Sequence, residues 1–279
     1  MTAPVNARMG KASDVTLKDH FIDRGDGSQL RVRVYRKIGS SARGALLFIH
    51  GGGLIVSTVE DYDPMCMRYC TNTGIPIVSV DYPLAPEDPY PTAIDDVLSA
   101  LAWMHDTADD HGWERSRIGI GGNSAGGGLT AGAVLKNRDT DKLPLACQML
   151  VCPMIDNRNI VPDSRFPKAF QTWTYVDNQT GWEAYLGGLD DPSDVPSYAA
   201  PARADDLSGL PPTYIDTGTL DIFHDEDVTY AKQMIADGVD VEAHIWNGAP
   251  HSFDYFAFNT SLAKKAWDCR FAFLVEHLQ

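Results

Sequence analysis

The stretch RIGIGGNSAGGG, residues 117–128, decides how this chain is read. Residues 117–121 form a short, mostly apolar run of the kind a buried strand shows, and residues 125–137 read as a helix. Between them, Gly122-Asn123-Ser124-Ala125-Gly126 spells G-x-S-x-G. A turn from strand to helix in so few residues forces the serine into a strained backbone conformation and lifts its hydroxyl clear of the main chain. Small residues two before and two after the serine avoid the resulting clash. The helix start then points backbone N–H groups at the same spot. In a chain with 24 glycines the bare pattern arises by chance, so the strand–turn–helix setting is what gives it weight.

Working outward, ALLFI (45–49), IPIVSV (75–80) and ACQMLVC (146–152) are further buried-strand runs, followed by PTYIDTG (212–218) and VEAHIW (241–246). Helices are expected at 63–73, 92–106, 224–236 and 256–277; in the second, Ala93, Val97, Leu101 and Met104 recur at helical spacing. This alternation implies a mostly parallel sheet with helices on both faces. Residues 15–23 and 30–37 alternate about Gly25-Asp26-Gly27-Ser28, an antiparallel hairpin suited to the sheet's edge. Residues 153–200 break the rhythm with Pro, Asp and aromatic residues. They are expected to form a small cap inserted over the carboxyl edge, where open α/β sheets bind ligands. The catalytic core is then 15–152 and 201–279, with 1–14 a loose tail or reduced N-terminal cap.

The chemistry follows from position along this frame. His50-Gly51-Gly52-Gly53 comes directly after the strand 45–49. Successive glycines let backbone N–H groups converge, as an oxyanion hole requires. No Gly-Lys-Ser/Thr follows, which argues against a phosphate loop, and His50 reads as structural. Where the triad runs serine, acid, histidine along the chain, His224, His244, His251 and His277 are the available bases. His244 lies within a strand and His277 in the last helix. His251 falls in a loop after the last strand, where a base belongs, with His224 its competitor. For the acid, Asp216 lies within a strand, and Asp225 and Asp227 open the next helix. Asp221 lies in the loop between, and is preferred. Its role would be to hold the imidazole tautomer.

Together these motifs resemble the hormone-sensitive lipase family of α/β-hydrolases, which includes the bacterial family IV esterases. His50 to Gly53 matches the family's HGGG; Asp81-Tyr82-Pro83-Leu84-Ala85-Pro86-Glu87 resembles its DYRLAPE; Gly122 to Gly127 its GDSAGG; Asp221 to Glu226 its DxLxDE; and Pro250-His251-Ser252-Phe253 its HGF. The order holds across residues 45–255. The resemblance implies an α/β-hydrolase fold, a Ser124–Asp221–His251 triad, and an oxyanion hole from two of the Gly51, Gly52 and Gly53 amides plus that of Ala125. Asn123 departs from the family's Asp, Pro83 from its Arg and Ser252 from its Gly. Relatives also carry a longer helical cap before the first strand. Leu54, Trp173, Tyr175, Trp182 and Phe253 are candidate walls of the substrate pocket.

Composition sets the outer bounds. Apolar residues are 44% and charged residues 22%, as in an ordinary globular domain. The net charge of −15 disfavours nucleic acid and anionic lipid as partners. Its acids read as caps and turns, as at Asp63 before Pro64, or as salt adaptation. No apolar run is long enough to span a bilayer and the N-terminal residues lack a signal-peptide core, so no membrane partner and a cytoplasmic location are expected. The five cysteines, without a CxxC pair, read as buried free thiols. No metal or other cofactor is implied. A small-molecule ester is the expected substrate, and a homodimer is possible. A lactonase, amidase or formamidase would use the same triad; a ligand-binding receptor on a hydrolase scaffold is the reading from a different class, against which the presence of His251 argues. The proline-rich run 85–91 is expected to hold a cis bond at Asp88–Pro89 or Tyr90–Pro91.

Overall fold

The hairpin consists of β1 (Val15–Asp23) and β2 (Gln29–Lys37). Its turn is closed by the Asp23 and Asp26 carboxylates, which accept the N–H groups of Gly25 and Ser28. Asp156, Asp163 and Asp206 bond the backbone two residues on in the same way, so turn-building uses several of the chain's acids. The remaining strands are β3 (Ala45–Ile49), β4 (Ile77–Val80), β5 (Ile118–Asn123), β6 (Gln148–Val151), β7 (Thr213–Gly218) and β8 (Val241–Trp246). The computed structural model describes residues 12–187, 189 and 194–279. In it the sheet runs β1-β2-β4-β3-β5-β6-β7-β8. β2 is antiparallel to both neighbours and every other pairing is parallel. Strands β3 to β7 are buried along their whole lengths, which is why their sequences are apolar runs rather than alternations.

Helices α1 (Val59–Thr73) and α6 (Ser261–Leu278) cover one face, while α2 (Thr92–Asp106), α3 (Ala125–Asp139) and α5 (His224–Ala236) cover the other. α1 begins four residues before its expected start. Thr58 and Asp61 form a reciprocal capping box, and the helix runs through Pro64. Asp63 is therefore not a cap: it accepts from the Tyr35 hydroxyl at 2.6 Å and pairs with Arg33, tying α1 to the hairpin. The expected 256–277 helix is interrupted, because the Thr260 hydroxyl caps Ala263 and starts α6 afresh after a helical turn at Phe253–Phe256. Within 153–200 lies α4 (Tyr175–Leu186), started by a Thr174–Asp177 capping box. The first eleven residues, including most of the expected tail, lie outside the described residues. Cis bonds occur at Ala85–Pro86 and Tyr90–Pro91. Among the described residues no helix is long and apolar enough to cross a membrane.

One feature of the strand order positions the site. From β3 the chain crosses to β4 on one side and returns to β5 on the other. At such a reversal the loops leave the sheet in opposite directions and open a crevice at the carboxyl ends of the two strands. Those ends are Ile49, before His50-Gly51-Gly52-Gly53, and Asn123, before Ser124.

Candidate active site

Ser124 sits at the hinge between β5 and α3 with φ 54° and ψ −125°. This strain is held from both sides. Its N–H donates to Val151 O at 2.8 Å, and its carbonyl accepts from Gly128 N at 3.1 Å and Met154 N at 3.0 Å. The flanking glycines are needed for space. A Cβ on Gly126 would fall 2.1 Å from Ile49 O, and one on Gly122 would fall 2.4 Å from Gly126 O.

The loop after β8 brings His251 to this serine, with Nε2 2.9 Å from Ser124 Oγ. The loop after β7 brings Asp221 to the other ring nitrogen, Oδ2 lying 2.8 Å from Nδ1. A carboxylate only accepts, so the bond assigns a proton to Nδ1 and leaves the Nε2 lone pair facing the serine hydroxyl. The second Asp221 oxygen accepts Phe223 N at 3.0 Å, which fixes the carboxylate. Burial disfavours a charged His251, but the charge of Asp221 and its hydrogen bond, together with a contribution from the neighbouring Cys152, outweigh that and raise the imidazole pKa well above its ordinary value. His224, the competing base, is bonded to Asp225 at 2.8 Å, away from the serine.

The 50–54 loop lies alongside. A Cβ on Gly51 would sit 3.2 Å from Ser124 Cβ, and Gly52 and Gly53 have φ of 122° and 59°. The Gly51 N–H is engaged by the Tyr62 hydroxyl, whereas among the described residues no backbone hydrogen bond occupies the N–H groups of Gly52, Gly53 or Ala125. His50 supports the loop: its ring stacks on Tyr82 at 4.3 Å, and the Tyr82 hydroxyl donates to His50 O at 2.8 Å. A family model described as the alpha/beta hydrolase fold matches residues 46–255. The chain belongs to the α/β-hydrolase fold family. The resemblance to hormone-sensitive lipase falls within it.

This hydrolase is 34% identical over 230 residues to "Carboxylesterase NlhH" of Mycobacterium tuberculosis, covering 79% of this chain and 70% of the relative. It is 32% identical over 262 residues to "Carboxylic ester hydrolase LipN" of the same species, covering 91% and 68%. Among solved structures, "Bacterial Heroin Esterase" superposes with a TM-score of 0.90 at 34% identity, covering 99% of this chain and 89% of that one. An esterase of Pyrobaculum calidifontis gives 0.88 at 29% identity, covering 99% and 89%.

The candidate wall residues of this hydrolase separate into distinct surroundings. Trp173 lies on the glycine loop, so close that a Cβ on Gly53 would meet its ring at 2.0 Å. Leu54 continues that loop, buried at φ 70°. Trp182 packs into the core beneath the insertion, with Tyr185 at 6.2 Å. Tyr175 borders a separate cavity of about 340 Å³ with Arg165, Ile222 and Asp225. Phe253 packs against Trp246 and the start of α6. Of the motif departures, Asn123 donates to the Tyr62 hydroxyl at 3.3 Å. Ser252 takes φ 54°, a conformation that glycine adopts without strain.

Two neighbours of the site escape sequence reading. Cys152, just past β6, reads only as a buried thiol, yet it stands with His251 and Asp221. Its place at the carboxyl end of a central strand is the signal that could have found it. The other is Arg270, from α6. Fully buried, it bonds Asp216 through Nε at 2.9 Å and Nη2 at 2.8 Å, and Asp254 through Nη1. Asp254 lies three residues after His251, so the arginine anchors the histidine's loop from behind. An arginine among Trp267, Phe273 and Leu274 on the buried side of α6 is its sequence signal.

Proposed function

We propose that this chain hydrolyses small carboxylic esters, with Ser124 as nucleophile, His251 as general base and Asp221 orienting the imidazole. As Ser124 Oγ attacks the ester carbonyl, its proton passes to His251 Nε2. The imidazolium so formed is stabilised by Asp221. The negative oxygen of the tetrahedral intermediate is met by two amides of the Gly51–Gly53 loop and that of Ala125. His251 then returns the proton to the departing alcohol, leaving an acyl-enzyme that water opens by the same route in reverse. The observation that carries this reading is the unbroken Ser124–His251–Asp221 relay at 2.9 and 2.8 Å.

Residues 153–200 serve as cover in this reading, with Trp173 against the glycine loop and Leu54 beside it. An aromatic ring so near the oxyanion donors limits how far an acyl chain extends. Activity on nitrophenyl esters should therefore peak between about two and six acyl carbons, since a chain that outgrows a fitted pocket turns a gain of ~1–3 kcal/mol per methylene into a clash. The test is kcat/KM across an acyl series from acetyl to dodecanoyl. Comparable turnover of dodecanoyl esters, or activation by an oil–water interface, would contradict it.

The raised pKa of His251 sets the pH dependence. The base must be neutral to accept the serine proton, so kcat/KM falls as pH drops through the imidazole's pKa. Asp221 raises that value, so the midpoint of the acid limb should lie above the ordinary histidine value of about 6.5. Removing the carboxylate charge takes away the largest influence opposing burial, so Asp221→Asn should move whatever activity remains to a lower midpoint. A pH–rate profile of both proteins checks the pair of shifts, and the opposite direction in the variant would refute the cause.

A further inference from the structure

The geometry points to an inhibitory binding site for a soft divalent cation, zinc or cadmium, formed by Cys152 Sγ, an imidazole nitrogen of His251 and a carboxylate oxygen of Asp221. One ligand atom from each group lies within 4.8 Å of the other two. All three residues are buried, at 6%, 6% and 1% exposure, so the cluster sits in a low-dielectric recess. Thiolate, imidazole and carboxylate are the donor set that zinc favours, at roughly 2.3, 2.0 and 2.1 Å. Such bond lengths place ligand atoms about 3–4 Å apart around a tetrahedral ion, a spacing these side chains reach by small movements. Cys152 is suited to this by its backbone: φ 37° turns it off the end of β6, while its N–H is held by Asp216 O at 2.8 Å. The relay itself makes no use of the thiol.

Binding would block the relay through the tautomer. Asp221 meets the ring at Nδ1, so an ion shared by the three groups takes that nitrogen's lone pair. The ring proton then resides on Nε2, the thiol proton leaves to solvent, and the metal–nitrogen and metal–sulfur bonds replace the two X–H bonds. With Nε2 protonated, nothing accepts the Ser124 proton. Hard cations lack the preference for sulfur that the site exploits.

The inhibition readout rests on the esterase reading above; a direct binding readout does not. Hydrolysis of nitrophenyl acetate is measured against zinc chloride and cadmium chloride, each protein normalised to its own metal-free rate. Inhibition should be reversed by EDTA and absent with magnesium or calcium at equal concentration. Cys152→Ala should raise the half-inhibiting concentration by about tenfold or more, the scale on which loss of even a supporting group weakens a metal site. Cys152→Ser, nearer in volume, should do the same. Independently, cadmium added to Ser124→Ala protein should produce thiolate-to-metal ultraviolet absorption. That band should vanish in Ser124→Ala/Cys152→Ala but persist in Ser124→Ala/Cys269→Ser, Cys269 being the only cysteine that is not buried. Inhibition unchanged by either Cys152 substitution, or a cadmium band that survives the loss of Cys152, would overturn the site. A protein inactive on every ester but retaining the Cys152-dependent band would sink the esterase reading and leave the metal site standing.

Discussion

Ser124→Ala should lower kcat on a nitrophenyl ester by about 10⁴–10⁶, and His251→Ala by a similar factor, because members of a catalytic relay act as a unit. The double variant should then be little worse than either single one. Asp221→Asn should cost on the order of 10⁴, because an amide facing Nδ1 no longer selects the productive tautomer. The comparison that discriminates is Asp225→Asn. Asp225 is more than half exposed and bonds Arg165 and His224 rather than His251, so its loss should be mild. Steady-state kinetics on the four single variants and the double variant decide the matter. A crippling Asp225→Asn beside a mild Asp221→Asn would reassign the acid. Two independent penalties that add in Ser124→Ala/His251→Ala would deny that the pair works as one relay.

Arg270→Ala should destabilise the fold by about 3–5 kcal/mol, the usual cost of breaking a buried ion pair by removing one partner. The guanidinium is 1% exposed, so solvent screening does little to reduce the loss. Its removal leaves the Asp216 and Asp254 carboxylates buried without their counter-charge. Asp216 retains the Tyr214 hydroxyl at 2.8 Å and the Trp246 indole N–H at 3.1 Å, whereas Asp254 loses the partner that fixes the turn after His251. Urea unfolding measures the change in midpoint. Arg270→Met/Asp216→Asn/Asp254→Asn, which removes the charges together, should recover much of the stability lost in Arg270→Met alone. A loss below about 1 kcal/mol, or no recovery in the triple variant, would show that the arginine's charge is not what holds this corner.

How far each feature was legible depends on the range of the interaction behind it. Buried strands and the longer amphipathic helices are written locally, in apolar runs and periodicity; 15–23, 45–49, 92–106, 224–236 and 241–246 needed no neighbour to be delimited. Ser124, too, follows from a local steric demand, small residues about a sharp turn, and chain order then narrows the histidine and the acid. Boundaries were lost where two local signals competed. The Thr58–Asp61 capping box prevailed over Asp63-Pro64, and Thr260 restarted a helix that periodicity alone would have carried through.

Tertiary structure alone decided what depends on distance between strands. The sheet order places the β3 and β5 loops at one crevice, and no single segment encodes that order. Trp173 and Trp182 look alike in sequence, yet one meets the glycine loop and the other fills the core beneath it, because the path of the insertion sets which face each presents. Cys152 and Arg270 acquired their roles in the same way, through partners tens of residues distant. A thiol or guanidinium carries no local sign of the carboxylate it will meet; the sequence by itself determined the strand–turn–helix around Ser124 and the residue types available for chemistry, and packing decided which of them stand within bonding distance.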